Sequence, residues 1–418
     1  MKKNSYHLAI RLEKSNRFSL PILMNQLEET GMDQYFKVCF IANQIQLKQF
    51  ILKNPTGLLL YSFMTPHIPF IIREIKWIQK NRNSNIKLLA GGPHTTGNPL
   101  SSLKIGFDYS FSGTAENGFV EFIQHYLDKK LPDIPTVFYA SKIGNLDKSL
   151  PISRYFEFSP PLEISRGCNW NCSFCQTACL KPVHRSMESF QIYYEHIKNR
   201  GHHRRISFIT PSAFEFGAQN GKNLNYAAVR ELLEYCKMNG TTYLEYGIFP
   251  SETRPNTFSQ DFIHLVVTYC QNRKITVGGQ SGSERLLRKI RRGHSTNQIE
   301  QACELAFRNK LLPLVDIIFG FPGEKNEDRR ETLSFVKKLS SHYNARMHFH
   351  YFIPLAGTEL EESNPSNLDY RTIDTIQKYE DSGICTGWWK EGQKLSQNLV
   401  RIRQKLQEVN ISYQKFFL

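Results

Sequence analysis

The sequence has no long hydrophobic run. Its longest uncharged stretch ends at Ile72, and the apolar part from Gly57 carries His67 and two prolines, short of the roughly 20 apolar residues a membrane-spanning helix needs. At the N-terminus, Met1-Lys2-Lys3-Asn4-Ser5 is followed by an apolar stretch before Arg11 that is too brief for a signal-peptide core. Tandem repeats and low-complexity tracts are absent too. These absences predict a soluble, cytoplasmic protein with no membrane partner. Acidic residues are scarce beside basic ones, 38 against 53, which leaves a net charge of +15. That excess suits an anionic partner such as nucleic acid, a phosphorylated substrate or a membrane surface. No recognised RNA-binding motif accompanies it, however, and the only local basic clusters, 202–205 and 288–292, read as solvated edges. With 40% hydrophobic and 22% charged residues over 418 positions, the composition is that of a globular protein with two or three domains.

What is present is cysteine, in one place. Of nine cysteines, Cys39, Cys236, Cys270, Cys303 and Cys385 stand alone among apolar neighbours and read as packed thiols. Cys168, Cys172 and Cys175 share one short turn after the strand-like run Pro161–Arg166. Thiolates at i, i+4 and i+7 suit three corners of a [4Fe–4S] cube and leave the fourth iron open to a small-molecule ligand. A zinc knot is the competing reading, with Cys179 or His184 as fourth ligand. Cys179 also reads as a cluster neighbour, a hydrogen-relaying thiol or a packed residue.

Around this turn the chain shows two βα series. In residues 1–130, strand patterns at 6–12, 36–42, 58–63, 86–90 and 108–111 alternate with helical ones near 18–30, 43–54, 68–82 and 116–129, predicting an α/β, doubly wound, Rossmann-like domain. Ligands of such sheets sit at the strands' carboxyl ends, where Ser62, Thr65, Gly91, Gly92, His94 and Gly113 fall. Residues 131–160, with five prolines among 132–161, read as a linker. A second series over 161–360 predicts strands at 162–165, 205–209, 243–248, 275–278, 314–319 and 347–353, and its carboxyl ends carry Glu252, Arg254, Gln280, Ser281 and Glu284. Glu252 and Arg254 are expected to form a buried pair that either orients substrate or serves as a structural salt bridge. Residues 361–418 read as a helical C-terminal extension, with helices at 369–381 and 392–410.

The Cys168-x3-Cys172-x2-Cys175 turn, its Ser-Arg-Gly approach and Phe174 resemble the signature of the radical SAM enzymes. Together with Gly91-Gly92-Pro93-His94, Phe249-Pro250-Ser251-Glu252, Gln280-Ser281-Gly282-Ser283-Glu284 and Gly320-Phe321-Pro322-Gly323-Glu324, it resembles the branch that carries a B12-binding domain. The resemblance implies a partial (β/α)6 barrel, a [4Fe–4S] cluster on the three cysteines, and S-adenosylmethionine against Phe174, Gln280, Ser281 and Glu284. It further implies cobalamin on the first domain's loops. Two departures stand out. The loop Leu12–Phe18 lacks the histidine that ligates cobalt in some cobalamin domains, leaving His94 as a possible contact. The segment at Pro211 replaces the Gly-Gly-Glu that receives the methionyl amino group. The function implied is cobalamin-dependent methylation of an unactivated carbon of an unknown substrate, with a reductase such as flavodoxin or ferredoxin as partner. A non-methylating rearrangement or ring formation is the alternative, and a cluster- and corrinoid-binding sensor without turnover is one of another class. Methylthio transfer needs a second cluster from upstream cysteines, and only Cys39 precedes Cys168.

Overall fold

The structure is a computed structural model that describes residues 6–83, 85–142 and 144–418, so the N-terminal Met1–Ser5 lies outside it. The chain forms two compact units: 1–160 with 355–361 and 398–418, and 161–354 with 362–397.

The first unit is built on a seven-stranded, all-parallel sheet. Its strands lie in the order Gln414–Phe417, Thr136–Tyr139, Tyr109–Ser112, Ile86–Gly91, Gly57–Ser62, Tyr6–Arg11, Phe36–Ile41. Five of these match the strand patterns to within one residue, because the inner strands are Leu-, Ile- and Phe-rich runs buried on both faces, as a helix-covered parallel sheet requires, while the edge strand Phe36–Ile41 is partly exposed. The order reverses direction between Tyr6–Arg11 and Gly57–Ser62, the place where such sheets open a crevice. One core joins Leu8, Ile10, Leu58, Leu60, Leu89, Phe122 and Phe138. A buried ion pair, Arg11 with Glu74 at 3.0 Å, takes a further hydrogen bond from the Tyr61 hydroxyl.

Residues 131–160 are not a linker. Thr136–Tyr139 is a strand paired on both sides, and Phe156 packs against Phe40 at 4.8 Å. The prolines flank a β-branched and aromatic run without interrupting it. The extension 361–418 does contain helices, at Tyr370–Asp381 and Trp389–Gln407, but also two strands, Cys385–Gly387 and Gln414–Phe417.

The second unit is a curved run of parallel strands. Leu162–Glu163 pairs with Phe208–Ile209, and Arg205–Ile206 with Tyr243–Leu244. The Gly247 carbonyl accepts from Thr276 N–H at 2.8 Å, joining these to Lys274–Gln280, Leu312–Phe319, Arg346–Tyr351 and Cys385–Gly387 in that order. Val315, Ile317, Phe319, Met347, Phe349 and Tyr351 face a core completed by Val336, Leu339 and Ile376 of the covering helices. The alternate positions Asp316, His348 and His350 therefore lie on the opposite, inner face.

Candidate functional site

The three-cysteine turn is pinned at its base and flank. Ser165–Arg166 pairs antiparallel with Val183–His184, Cys168 N–H donates to the Leu180 carbonyl at 3.1 Å, and Ser173 N–H to the Ile290 carbonyl at 3.1 Å. Gly167 makes the entry possible: its φ is +79°, and a Cβ there would collide with the Lys181 carbonyl. Cys172 is buried, Cys168 and Cys175 are half-buried and Cys179 is exposed.

Two guanidinium groups meet the Cys172 sulfur, Arg292 Nη1 at 3.4 Å and Arg254 Nη1 at 3.6 Å. Burial works against ionisation there, yet Arg292 and Arg254 hold the thiol below its ordinary value. Burial pushes Cys168 up to about 11 and Arg254 down to about 10. The turn is thus electropositive at its centre, as thiolate ligands need.

A single zinc ion fits less well. Tetrahedral ligation at about 2.3 Å sets sulfurs about 3.8 Å apart, and among the described residues the one group of three ligand atoms lying within 4.8 Å of one another is elsewhere, at Asp316, His348 and His350. His184 is also committed, Nδ1 to Ser165 Oγ at 2.8 Å and Nε2 to the Ala218 carbonyl at 3.1 Å. Three free thiols in one turn, the central one drawn toward its thiolate by two arginines, are the donor set that a cluster with one open iron takes.

Around the turn, Phe174 stands edge-on to Phe321 at 5.3 Å. Gln280 ends its strand at φ +74°, and its Oε1 is buried with no hydrogen-bond partner. It converges with Arg292 beside Gly278, where a Cβ would lie 2.6 Å from Arg292 Nη2 and 3.2 Å from Gln280 Nε2. Ser281 is turned to Thr332 at 3.1 Å, and Glu284 Oε1 accepts from Thr296 N–H and Oγ1 at 2.6 and 2.7 Å, at the start of the helix Thr296–Arg308. Of the three strand-end residues, Gln280 alone is left with an unanswered polar atom.

Glu252 and Arg254 do not pair. Arg254 lies over the Trp170 ring at 4.1 Å and donates from Nη1 to Cys172, from Nη2 to the Arg292 carbonyl and from Nε to Asn256 Oδ1 at 3.4 Å. Glu252 feels Asp316, Arg292 and His348 instead, and burial followed by Asp316 raises its carboxyl to about 7.

Glu215 is a residue the sequence reading missed. It is buried, its Oε1 accepts from Trp170 Nε1 of the cysteine turn at 2.9 Å, and its Oε2 has no partner. It lies four residues beyond Pro211, so the signal was a carboxylate displaced from the place where the motif expected one.

In the first unit, the sheet's carboxyl-end loops gather the predicted hydroxyls and glycines. His94 is buried, with Nδ1 3.0 Å from Thr65 Oγ1 and Nε2 2.5 Å from Ser101 Oγ, and burial lowers it to about 4. Both nitrogens are engaged, so His94 stands as a hydrogen-bonded loop histidine. Gly92, at φ +92°, lets the backbone pass Phe63 and Ser62, and Gly113, at φ +131°, lets it pass Ala140. Gly91 has open space on its side-chain face, where a Cβ would meet only the Tyr61 carbonyl at 3.8 Å. The loop after Arg11 is closed by Asn16, which donates to the Arg11 and Ser62 carbonyls at 2.9 and 3.1 Å. No helix of the described residues is long and apolar enough to cross a membrane.

Comparison with known proteins matches residues 162–336 to the Radical SAM superfamily. Among curated proteins, the threonylcarbamoyladenosine tRNA methylthiotransferase MtaB of Aquifex aeolicus is 24% identical over 283 residues, 65% of either chain. The chain spans less than two thirds of the length of the curated relatives it matches. Among solved structures, the radical S-adenosylmethionine methyltransferase TsrM of Kitasatospora setae, with cobalamin and a [4Fe–4S] cluster bound, superposes with a TM-score of 0.59 at 15% identity, covering 86% of this chain and 77% of that one. The cobalamin-dependent radical enzyme OxsB, with aqua-cobalamin bound, gives 0.60 at 14% identity, covering 97% and 62%. At such identities the likeness is one of fold. Residues 162–336 match the Radical SAM superfamily, and they are carried in a chain whose fold is like that of TsrM and OxsB.

Proposed function

We propose that the protein is a radical SAM enzyme that works with cobalamin and methylates an unactivated carbon of its substrate. The observation that carries the reading is the buried Cys172 sulfur held by Arg254 and Arg292 within the three-cysteine turn, next to two unanswered polar atoms, Gln280 Oε1 and Glu215 Oε2. When bound, the cluster and S-adenosylmethionine supply a 5′-deoxyadenosyl radical, and cobalamin supplies the methyl group.

The chain's own residues bind and orient. Cys168, Cys172 and Cys175 would hold iron, and the two arginines offset thiolate charge. Phe174 offers an aromatic face to the adenine. Glu215 Oε2 suits the methionyl amino group, and Gln280 the ribose or methionyl part. An orphaned buried acceptor costs about 1–3 kcal/mol, so two of them beside one turn favour a ligand that supplies donors. The loops at Ser62, Thr65, Gly91 and Gly92 fit a corrinoid held by backbone contacts and the Ser62 hydroxyl, the Thr65 hydroxyl being engaged with His94 and the Ala356 N–H. They do not fit cobalt ligation by His94, whose nitrogens are both bonded. The electron would come from a partner of the flavodoxin or ferredoxin type.

A second reading, methylthio transfer to tRNA, is favoured by the names of the sequence relatives. Against it stands the first unit's single cysteine, Cys39, half-buried in the strand Phe36–Ile41 with its thiol raised by burial.

The test is anaerobic reconstitution with iron, sulfide and hydroxocobalamin, then S-adenosylmethionine, dithionite and pooled metabolites or tRNA, with products read by mass spectrometry. Retained corrinoid, 5′-deoxyadenosine and a 14-dalton gain support methylation, the gain being about that of one CH₂. A cleaved cofactor without mass gain favours rearrangement, and retention of tRNA that fades with salt favours the second reading. Cys172→Ala is expected to reduce 5′-deoxyadenosine to background, and unchanged formation by that variant rejects the proposal.

A further inference from the structure

The inner face of the second unit carries a cluster with no part in the reading above. Asp316 stands on Leu312–Phe319, directly opposite His348 on Arg346–Tyr351, and His350 follows two residues on, so that both rings lean toward the carboxylate. Asp316 Oδ1 is 3.3 Å from His348 Nδ1 and 3.3 Å from His350 Nε2, and all three ligand atoms lie within 4.8 Å of one another.

Those separations are long for hydrogen bonds to a carboxylate, which settle at about 2.7–2.9 Å when charge-assisted. They match the edges of a coordination shell: bonds of about 2.1 Å in tetrahedral array place ligand atoms about 3.4 Å apart. The Asp316 side chain is 9% exposed and His348 45%, so the set has a buried anionic floor and an accessible side where a further ligand can enter. Two imidazoles and a carboxylate form a donor set for borderline divalent ions.

We propose that Asp316, His348 and His350 bind one divalent first-row transition metal ion through Oδ1, Nδ1 and Nε2, in a site separate from the cysteine turn. Binding is coupled to Trp388. The indole Nε1–H donates to His350 Nδ1 at 3.1 Å, and an indole nitrogen can only donate. Without metal, His350 therefore carries its proton on Nε2, facing Asp316. Ligation through Nε2 releases that proton, and Nδ1 takes one up from solvent, which leaves two N–H groups facing each other. Trp388, 37% exposed, must turn away.

The inference does not rest on the proposed function, and its test reads the two separately. The full chain is reconstituted with iron and sulfide, freed of excess metal and given zinc in steps to one equivalent. Zinc and iron per chain are counted by elemental mass spectrometry, and tryptophan emission is followed. One zinc per chain with iron unchanged is expected, with a change in emission that Trp388→Phe abolishes. His348→Gln and Asp316→Asn should each weaken zinc binding at least tenfold while retaining wild-type iron, which also shows that they fold. Trp388→Phe should tighten it several-fold, since the opposing N–H is gone; a purely hydrogen-bonded network predicts no such gain. Zinc retained equally by His348→Gln and Asp316→Asn, or lost in Cys172→Ala instead, overturns the proposal, as does absence of zinc from the wild type.

Discussion

Gln280 keeps a left-handed backbone conformation that a residue with a Cβ pays for, at about 1–2 kcal/mol, and buries an amide oxygen with no donor. Two costs at one residue in a strand-end loop mark a position kept for what it binds. Gln280→Gly is expected to leave the folded protein unchanged or about 1 kcal/mol more stable by thermal melting, and to weaken S-adenosylmethionine binding about tenfold by equilibrium dialysis. A loss of stability with unaltered binding would give the residue back to the scaffold. Ser281 and Glu284, its neighbours in the same motif, are spent on Thr332 and Thr296. Their chemistry was legible in the sequence, but their partners were not, because those lie on helices 12 to 51 residues away that only the fold brings near.

Among elements, the cysteine turn depends on Gly167 more than on any cysteine's packing. The conformation is left-handed and the Cβ position is filled by backbone, so the collision cannot be relieved by a side-chain rotation. Gly167→Ala is expected to cut iron per chain to less than half after reconstitution while circular dichroism stays near wild type; full iron loading would show that the turn tolerates another path. The turn was readable because its residues are contiguous. The strands were readable for a related reason: Leu58–Leu60 is apolar on both faces, Ile86–Leu89 is apolar but for Lys87, and both follow glycine or asparagine. Thr136–Tyr139 was hidden by its flanking prolines, and Cys385–Gly387 by being three residues long. Glu215 escaped because a local motif has no way to express a carboxylate moved four residues along and returned by a short 3₁₀ turn at Ala213–Glu215.

At the level of the whole molecule, the chain leaves the first unit after Pro160 and returns to it twice. The second return ends in Gln414–Phe417, parallel to Thr136–Tyr139, with Phe416 5.2 Å from Phe138 and Phe417 stacked on Tyr139 at 5.4 Å. Phe416→Ala is expected to destabilise the first unit by about 2 kcal/mol, less than the about 3–5 kcal/mol of a fully buried phenylalanine because the ring is only half-buried. The check is whether a denaturant melt moves its midpoint while iron loading at the cysteine turn is kept. An unmoved midpoint would mean that the last strand is fastened by its backbone alone.

The same pairing sets a timetable for the protein's birth. Thr136–Tyr139 emerges from the ribosome early, and the strand that covers its outer edge is made about 270 residues later. At about 5–20 residues per second, the nascent chain carries an uncovered row of peptide groups for roughly 15–55 s, bordered by valine, phenylalanine and tyrosine. Exposed edges of this kind recruit other strands. Slow translation or premature termination is therefore a hazard of aggregation for the polypeptide even when the second unit has already folded, and a chaperone that shields sheet edges would have its longest engagement here.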